Sequence, residues 1–144
     1  MVSHSSLADS VLISPAHIKL QAVVAAAVNG TALDMQGWDG VTFIIPYGVF
    51  GSGGTLNGLV QRDDNSGFNS ATNIANSSIT QVNAANANAG VIVDVYQPAE
   101  RYVRMQLTGQ TNGVTAGVIA IQYRRTGILP ATQAAAEVVR VVAG

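Results

Sequence analysis

The segment "PAERYVRMQLTGQTNGVTAGVIAIQYRRTG", residues 98–127, decides the fold. Its first half alternates between polar and apolar side chains, which is the period of a β-strand. One face carries Arg101, Val103, Met105 and Leu107, and the other carries Tyr102, Arg104, Gln106 and Thr108. A second run alternates in the same way, with Ile119, Ile121 and Tyr123 on the apolar face and Ala120, Gln122 and Arg124 on the other. With "GQTNGVTAG" as the turn, the pattern predicts a β-hairpin that places Arg104 near Gln122 or Arg124.

Strand signals dominate the rest of the chain, which indicates an all-β, antiparallel sandwich or barrel. The predicted strands are 17–28, 40–49, 55–63, 78–82, 90–96, 101–108 and 117–124. Residues 65–90 read as a long Asn-rich loop with one short strand, anchored by Phe68, Ile74, Ile79 and Val82. We expect a single domain, with a β-sandwich over 15–127 between an N-terminal arm (1–14) and a C-terminal arm (128–144). Residues 132–143 fit a helix and a strand equally well.

Composition excludes several classes of function. Charged residues make up 10% of the 144, the formal net charge is −1, and Lys19 is the one lysine, so the chain lacks the basic patch that nucleic-acid binding requires. The absence of cysteine rules out disulfides and zinc–thiolate sites. The longest apolar run, 22–28, is far short of a membrane span. The N-terminus does not resemble a secretory signal, and we expect a soluble protein that is not exported by that route.

No motif supplies a catalytic, cofactor-binding or metal-binding site. His4 and His17 lie outside any metal-ligand spacing, and the glycine-rich stretch 48–54 lacks the ending of a phosphate-binding loop. Asp63 and Asp64 begin a turn that departs from the EF-hand pattern. A hydrolase built from His17, Asp63 and Asp64 stays an alternative, although nothing in the sequence brings these groups together.

The basic residues and the single tryptophan are the candidates for an interface. Trp38 fits a core residue, an interface anchor or a sugar-stacking platform. We expect Arg104 to pair within the domain, with Glu100, Asp94 or Asp63 as the counter-charge, and Arg124 or Arg125 to lead into a subunit contact. The candidate subunit-interface residues are Trp38, Arg101, Arg124, Arg125 and Arg140.

Three motifs carry a resemblance to a known family. "TALDMQGWDG" (31–40), "VQRDDNSGF" (60–68) and "RYVRMQLT" (101–108), within a similarity over 18–132, resemble the capsid cement, or decoration, proteins of tailed bacteriophages. Some of these are β-sandwiches of jelly-roll type. The resemblance implies a non-enzymatic virion protein, made in the host cytoplasm, that binds the outside of an icosahedral capsid and clamps its subunits. The implied partners are the major capsid protein and further copies of the chain, as a dimer or trimer at local symmetry axes. The alternative is a phage tail protein or a β-sandwich module that binds surface glycans.

Overall fold

The computed structural model describes residues 10–86 and 90–123, and within them the chain forms ten strands and one short 3₁₀ turn. The strands are β1 (Val11–Val23), β2 (Ala27–Asn29), β3 (Leu33–Asp34), β4 (Gly40–Phe50), β5 (Thr55–Asp63), β6 (Thr72–Asn73), β7 (Val82–Asn83), β8 (Gly90–Tyr96), β9 (Tyr102–Gln110) and β10 (Val114–Tyr123). The 3₁₀ turn is Ala84–Asn86. Across these residues there is no helix with the length and apolar character of a membrane span.

The strands form two antiparallel sheets that pack as a sandwich. The four-stranded sheet has the order β1-β10-β4-β8. In the second sheet the order is β2-β9-β5-β6, with β3 also paired to β9 and β7 to β5. When β2 with β3, and β6 with β7, are each counted as one broken strand, the order becomes that of an eight-stranded jelly roll. The structure therefore confirms the all-β jelly-roll sandwich.

The core lies between the two sheets, and β9 supplies its most deeply buried face. Val103, Met105 and Leu107 have no exposed surface, while the side chains between them are partly exposed. The predicted alternation of β9 is therefore confirmed. The other fully enclosed apolar side chains come from β1, β4, β5 and β10; they are Val23, Val41, Phe43, Ile45, Leu56, Val60, Ala116 and Ala120. Burial of this apolar surface is the main driving force for the fold.

The predicted β9–β10 hairpin is wrong. A turn closed by the hydrogen bond from the Gly113 N–H to the Gln110 carbonyl oxygen (3.0 Å) carries the chain from one sheet to the other. Strand β9 pairs with β2, β3 and β5, whereas β10 pairs with β1 and β4. Arg104 consequently has Gln61 of β5 as its register partner and does not lie beside Gln122.

The expected inner and outer faces of β10 are also reversed. Ala120 and Gln122 are buried, and Ile119, Ile121 and Tyr123 are half-buried on the outer face. Gln122 is accommodated in the core because its side-chain N–H group donates to the Asp34 carbonyl oxygen at 2.8 Å. Because the buried amide keeps a hydrogen bond, its desolvation penalty is too small to favour the opposite orientation of the strand, with Gln122 on the outer face.

The first strand begins earlier than expected. Val11, Leu12, Ile13 and Ser14, assigned to the N-terminal arm by the sequence, pair with β10 opposite Tyr123, Gln122, Ile121 and Ala120. The alanine- and valine-rich stretch after Lys19 is strand as far as Val23. The arm from residue 128 and the choice between helix and strand for 132–143 lie outside the described residues.

The long excursion between β5 and β8 contains two short strands, β6 and β7, where one at 78–82 was predicted. Its predicted anchors are confirmed, because Phe68 and Val82 are buried and Ile74 and Ile79 pack against the core. Ser77 is a further anchor that hydrophobicity does not reveal. Its hydroxyl oxygen accepts from the Val60 N–H at 2.9 Å, and its O–H group donates to the Ile74 carbonyl oxygen at 2.8 Å.

Candidate functional site

Two of the predicted interface residues, Trp38 and Arg101, meet in one groove at an end of the sandwich. The groove has a volume of about 490 Å³ and is lined by Met35, Gln36, Trp38, Asp39, Gln97, Pro98, Ala99, Glu100 and Arg101. We call it the Trp38 groove. It is formed by the loop from β3 to β4 and the loop from β8 to β9.

Backbone hydrogen bonds fix the two loops that form the Trp38 groove. The Met35 N–H donates to the Arg101 carbonyl oxygen at 2.7 Å, and the Gln97 N–H donates to the Asp39 carbonyl oxygen at 2.7 Å. Gly37, with a φ of 79°, allows the tight turn that brings the Trp38 N–H to the Met35 carbonyl oxygen at 2.9 Å. Trp38 itself is half-buried and packs against the core, so it serves both as a core residue and as a wall of the groove.

Arg101 lies at the rim of the Trp38 groove in a bidentate ion pair. Its Nε and Nη2 donate to the two carboxylate oxygens of Asp34 at 3.0 and 2.7 Å. These hydrogen bonds, together with the Gln36 N–H, hold the pKa of the Asp34 carboxyl below its usual range. The guanidinium also lies 5.2 Å from the centre of the Tyr102 ring. Because the pair is about half exposed, its role is to orient Arg101 more than to stabilise the fold.

Arg104 interacts within its own domain, as predicted, but its partners are a side-chain amide and an aromatic ring. Its Nε donates to Gln61 Oε1 at 2.9 Å, and its guanidinium lies 4.2 Å from the centre of the Phe68 ring. Burial lowers the pKa of Arg104, and the nearby negative charge of Asp63 opposes that shift. Of the three expected counter-charges, Asp63 is therefore the one that acts on Arg104. Glu100 lies 3.9 Å from Arg62 instead.

Asp63 organises the loop that follows β5. Its two carboxylate oxygens accept from the N–H groups of Asn65 (2.9 Å) and Ser70 (2.8 Å). The hydrogen bond from Asn65 contributes most to holding the Asp63 pKa below its usual range. Within residues 10–86 and 90–123, no group of acidic and histidine side chains is arranged to hold a metal ion.

His17 is a core residue. It is 3% exposed and packs against Phe43 with the ring centres 5.3 Å apart. Its Nε2 accepts from the Met105 N–H at 3.0 Å, and its Nδ1 has no hydrogen-bond partner in the described part of the chain. Burial lowers the pKa of His17 to about 4, so the ring is neutral at pH 7.

The remaining interface candidates, Arg124, Arg125 and Arg140, lie outside the described residues. The groove on which Trp38 and Arg101 converge joins residues that are 63 positions apart, and no motif links them in the sequence. One sequence signal could have indicated the groove: each residue lies in a short connection at the end of a strand. Binding residues are commonly carried by such loops.

Comparison with known proteins yields a likeness in fold. No protein-family model matches the sequence, and no curated protein matches it. Among solved structures, the chain is similar to the PBSX exported protein XepA, with a TM-score of 0.59 and 16% identity. The match covers 99% of this chain and 47% of that one, so this chain spans about half the length of its structural neighbour. At this identity, the likeness shows the β-sandwich fold and nothing further.

Proposed function

We propose that the protein is a structural component of a phage virion that binds the outer surface of an icosahedral capsid and clamps neighbouring capsid subunits. Its partners in this proposal are the major capsid protein and further copies of itself. It needs no cofactor and carries out no catalysis. The observation that carries the proposal is the jelly-roll strand order, found in a chain that is similar to a phage-derived protein and resembles phage cement proteins.

The surface of the domain supports this proposal. A clamp forms wide contacts, and each charge buried without a partner would cost free energy. Charged residues are few in this chain, and four of those at or near the Trp38 groove are already paired, Arg101 with Asp34 and Arg62 with Glu100. The groove combines a large aromatic side chain with a pre-oriented arginine, which are two residue types enriched at the centres of protein interfaces.

The test uses capsids of the encoding phage assembled without this chain. Purified protein should bind them saturably, and the temperature at which the capsids open should rise. If the protein fails to bind, or binds without changing that temperature, the proposal is wrong.

The contribution of the Trp38 groove is measured with Arg101→Ala, which should weaken binding at least tenfold. Lys19→Ala, at an exposed position on β1, is the matched control and should bind as the unmodified protein does. Equal binding by both variants would show that the capsid contact lies elsewhere on the domain.

A glycan-binding module is the second candidate, and the composition of the Trp38 groove favours it. Gln36, Asp39, Gln97 and Glu100 line the groove beside the indole of Trp38, a combination of ring face and planar polar groups that suits a sugar. Binding to a glycan array that is lost in Trp38→Ala, with unchanged circular dichroism, would support this candidate. Absence of binding by the unmodified protein would refute it.

A further inference from the structure

Within residues 10–86 and 90–123, strand β8 is the last strand on one side of the four-stranded sheet, and no described strand pairs with its outer edge. It pairs with β4 in continuous register from Gly40 opposite Tyr96 to Pro46 opposite Gly90, without a bulge. The strand contains neither lysine nor proline, which are two of the devices that protect sheet edges from pairing with another chain. A groove of about 450 Å³ runs beside it, lined by residues 76–80 and 91–94 together with Val82.

The one charged residue of β8 does not guard this edge. The carboxylate of Asp94 accepts from the Thr42 hydroxyl at 2.7 Å and from the Tyr123 hydroxyl at 3.0 Å. Thr42 belongs to β4 and Tyr123 to β10, so the carboxylate is turned over the sheet and away from the free edge. Burial, and then the hydrogen bond to Asp94, raise the pKa of Tyr123 to about 12, which keeps its hydroxyl a donor.

A row of isoleucines on the outer face of the sheet ends at this edge. Ile119 of β10 lies opposite Ile44 of β4, and Ile44 lies opposite Ile92 of β8. Ile119 and Ile44 are half-buried, whereas Ile92 is 69% exposed. The row is therefore covered by neighbouring side chains except at its last member, on the side where no strand of the described part of the chain pairs with β8.

We propose that β8 pairs antiparallel with β8 of a second copy, about a twofold axis at Ile92. This register places Ile92 opposite its own symmetry mate and joins the two isoleucine rows into one row that crosses both sheets. Gly90 lies opposite Asp94 of the other copy, so no two like charges face each other, and Val91 lies opposite Val93. A register centred on Val93 would instead place Ile92 opposite Asp94. The strand is thus self-complementary in the register centred on Ile92, as a twofold contact requires.

The proposed function includes self-association of the chain, and the inference rests on it. The β8 contact assigns that self-association to a defined surface. Pairing of two strands buries less than the standard interface of about 800 Å² per partner, so we expect a weak dimer in solution, with a dissociation constant on the order of micromolar. On a capsid, many copies fixed at short separations would make such a contact effective. The Trp38 groove at the end of the sandwich is a separate surface, so capsid binding and dimerisation are separable by mutation.

Sedimentation velocity over a range of protein concentrations tests the proposal in the absence of capsids. The full chain should form dimers, and Ile92→Lys, which places two ammonium groups face to face at the axis, should weaken dimerisation at least tenfold. Leu20→Lys is the matched control, because Leu20 is 70% exposed on β1 at the opposite edge of the sheet. Circular dichroism establishes that both variants are folded.

A cysteine placed at the axis gives an independent measurement, since the chain has no cysteine of its own. Ile92→Cys should form a covalent dimer on mild oxidation, and Leu20→Cys should not. A monomer at all concentrations up to about 100 μM, or dimers that Ile92→Lys leaves unchanged, would overturn the proposal. Loss of the dimer on removal of residues 126–144 alone would also overturn it, because the contact would then belong to that segment. Since no capsid is present, these outcomes do not bear on the capsid role itself.

Discussion

Acid should destabilise this protein through one buried side chain, His17. In the fold, Nε2 accepts a hydrogen bond from the Met105 N–H, and burial lowers the pKa of His17 from 6.5 to about 4. Protonation of Nε2 would remove the acceptor and place a charge beside Phe43 in the core. The unfolded chain protonates the same ring near pH 6.5, so between about pH 6.5 and 4 the unfolded state binds more protons, and stability falls as pH falls.

The magnitude follows from these two pKa values. Each unit of pKa difference is equivalent to about 1.4 kcal/mol, so full protonation of the unfolded state costs roughly 3 kcal/mol of stability by pH 4. Between pH 7 and pH 5, the expected loss of unfolding free energy is about 2 kcal/mol. The carboxyl groups of Asp34 and Asp63 have lowered pKa values, and their contribution is lost at more acidic pH, so this interval reports on histidine.

Urea denaturation, followed by circular dichroism and by the fluorescence of Trp38, measures this loss at pH 7, 6 and 5. In His17→Gln, the amide oxygen can still accept from the Met105 N–H but does not titrate, so the stability of this variant should change little over the interval. His4→Gln is the control for the only other histidine of the chain. The reasoning is refuted if the unmodified protein loses less than about 0.5 kcal/mol, or if His17→Gln loses as much as the unmodified protein does.

Three further substitutions, and one control, test the core and the loop that follows β5. Gly109→Ala should lower the free energy of unfolding by about 3 kcal/mol, because its Cβ would overlap the carbonyl oxygen at the end of β1. Gly48→Ala is the control, since its Cβ would meet nothing closer than 3.8 Å, and its stability should be nearly unchanged. Thermal unfolding measures both variants. Gln122→Leu should lower the free energy of unfolding, measured by urea denaturation, by about 2 kcal/mol, since it leaves the part-buried carbonyl oxygen of Asp34 without its donor. Asp63→Asn should loosen the loop after β5, and limited proteolysis should then cleave within residues 64–71 faster than in the unmodified protein.

The sequence predicts the buried face of a strand correctly where apolar side chains are buried and polar ones are exposed. In β9, Val103, Met105 and Leu107 are both apolar and enclosed, so alternation identifies the inner face correctly. In β10 the same rule fails. Gln122 is polar but finds a carbonyl partner inside, and Ile121 is apolar but lies on the outer face. Periodicity separates the two faces of a strand, and only the tertiary partners decide which of them is buried.

The connection between β9 and β10 shows a second limit. Two alternating runs joined by a Gly-rich turn fit a hairpin, yet both strands receive their partners from distant parts of the chain. Gly109 and Gly113 let this turn approach the end of β1 closely, which favours the passage between the two sheets. The sequence does not reveal the Trp38 groove either, because the two loops that form it meet only when the strands have paired into sheets.

The pairing of Val11 with Tyr123 has a mechanical consequence. The beginning of β1 and the end of β10 lie side by side at one end of the sheet, and the two strands run in opposite directions. A force that pulled the chain apart at these two points would break the β1–β10 hydrogen bonds one after another, like a zipper, and not all together in shear. A contact that loaded the domain through both of these points would therefore open at low force, whereas a load applied along the two strands would have to break the whole row of hydrogen bonds together.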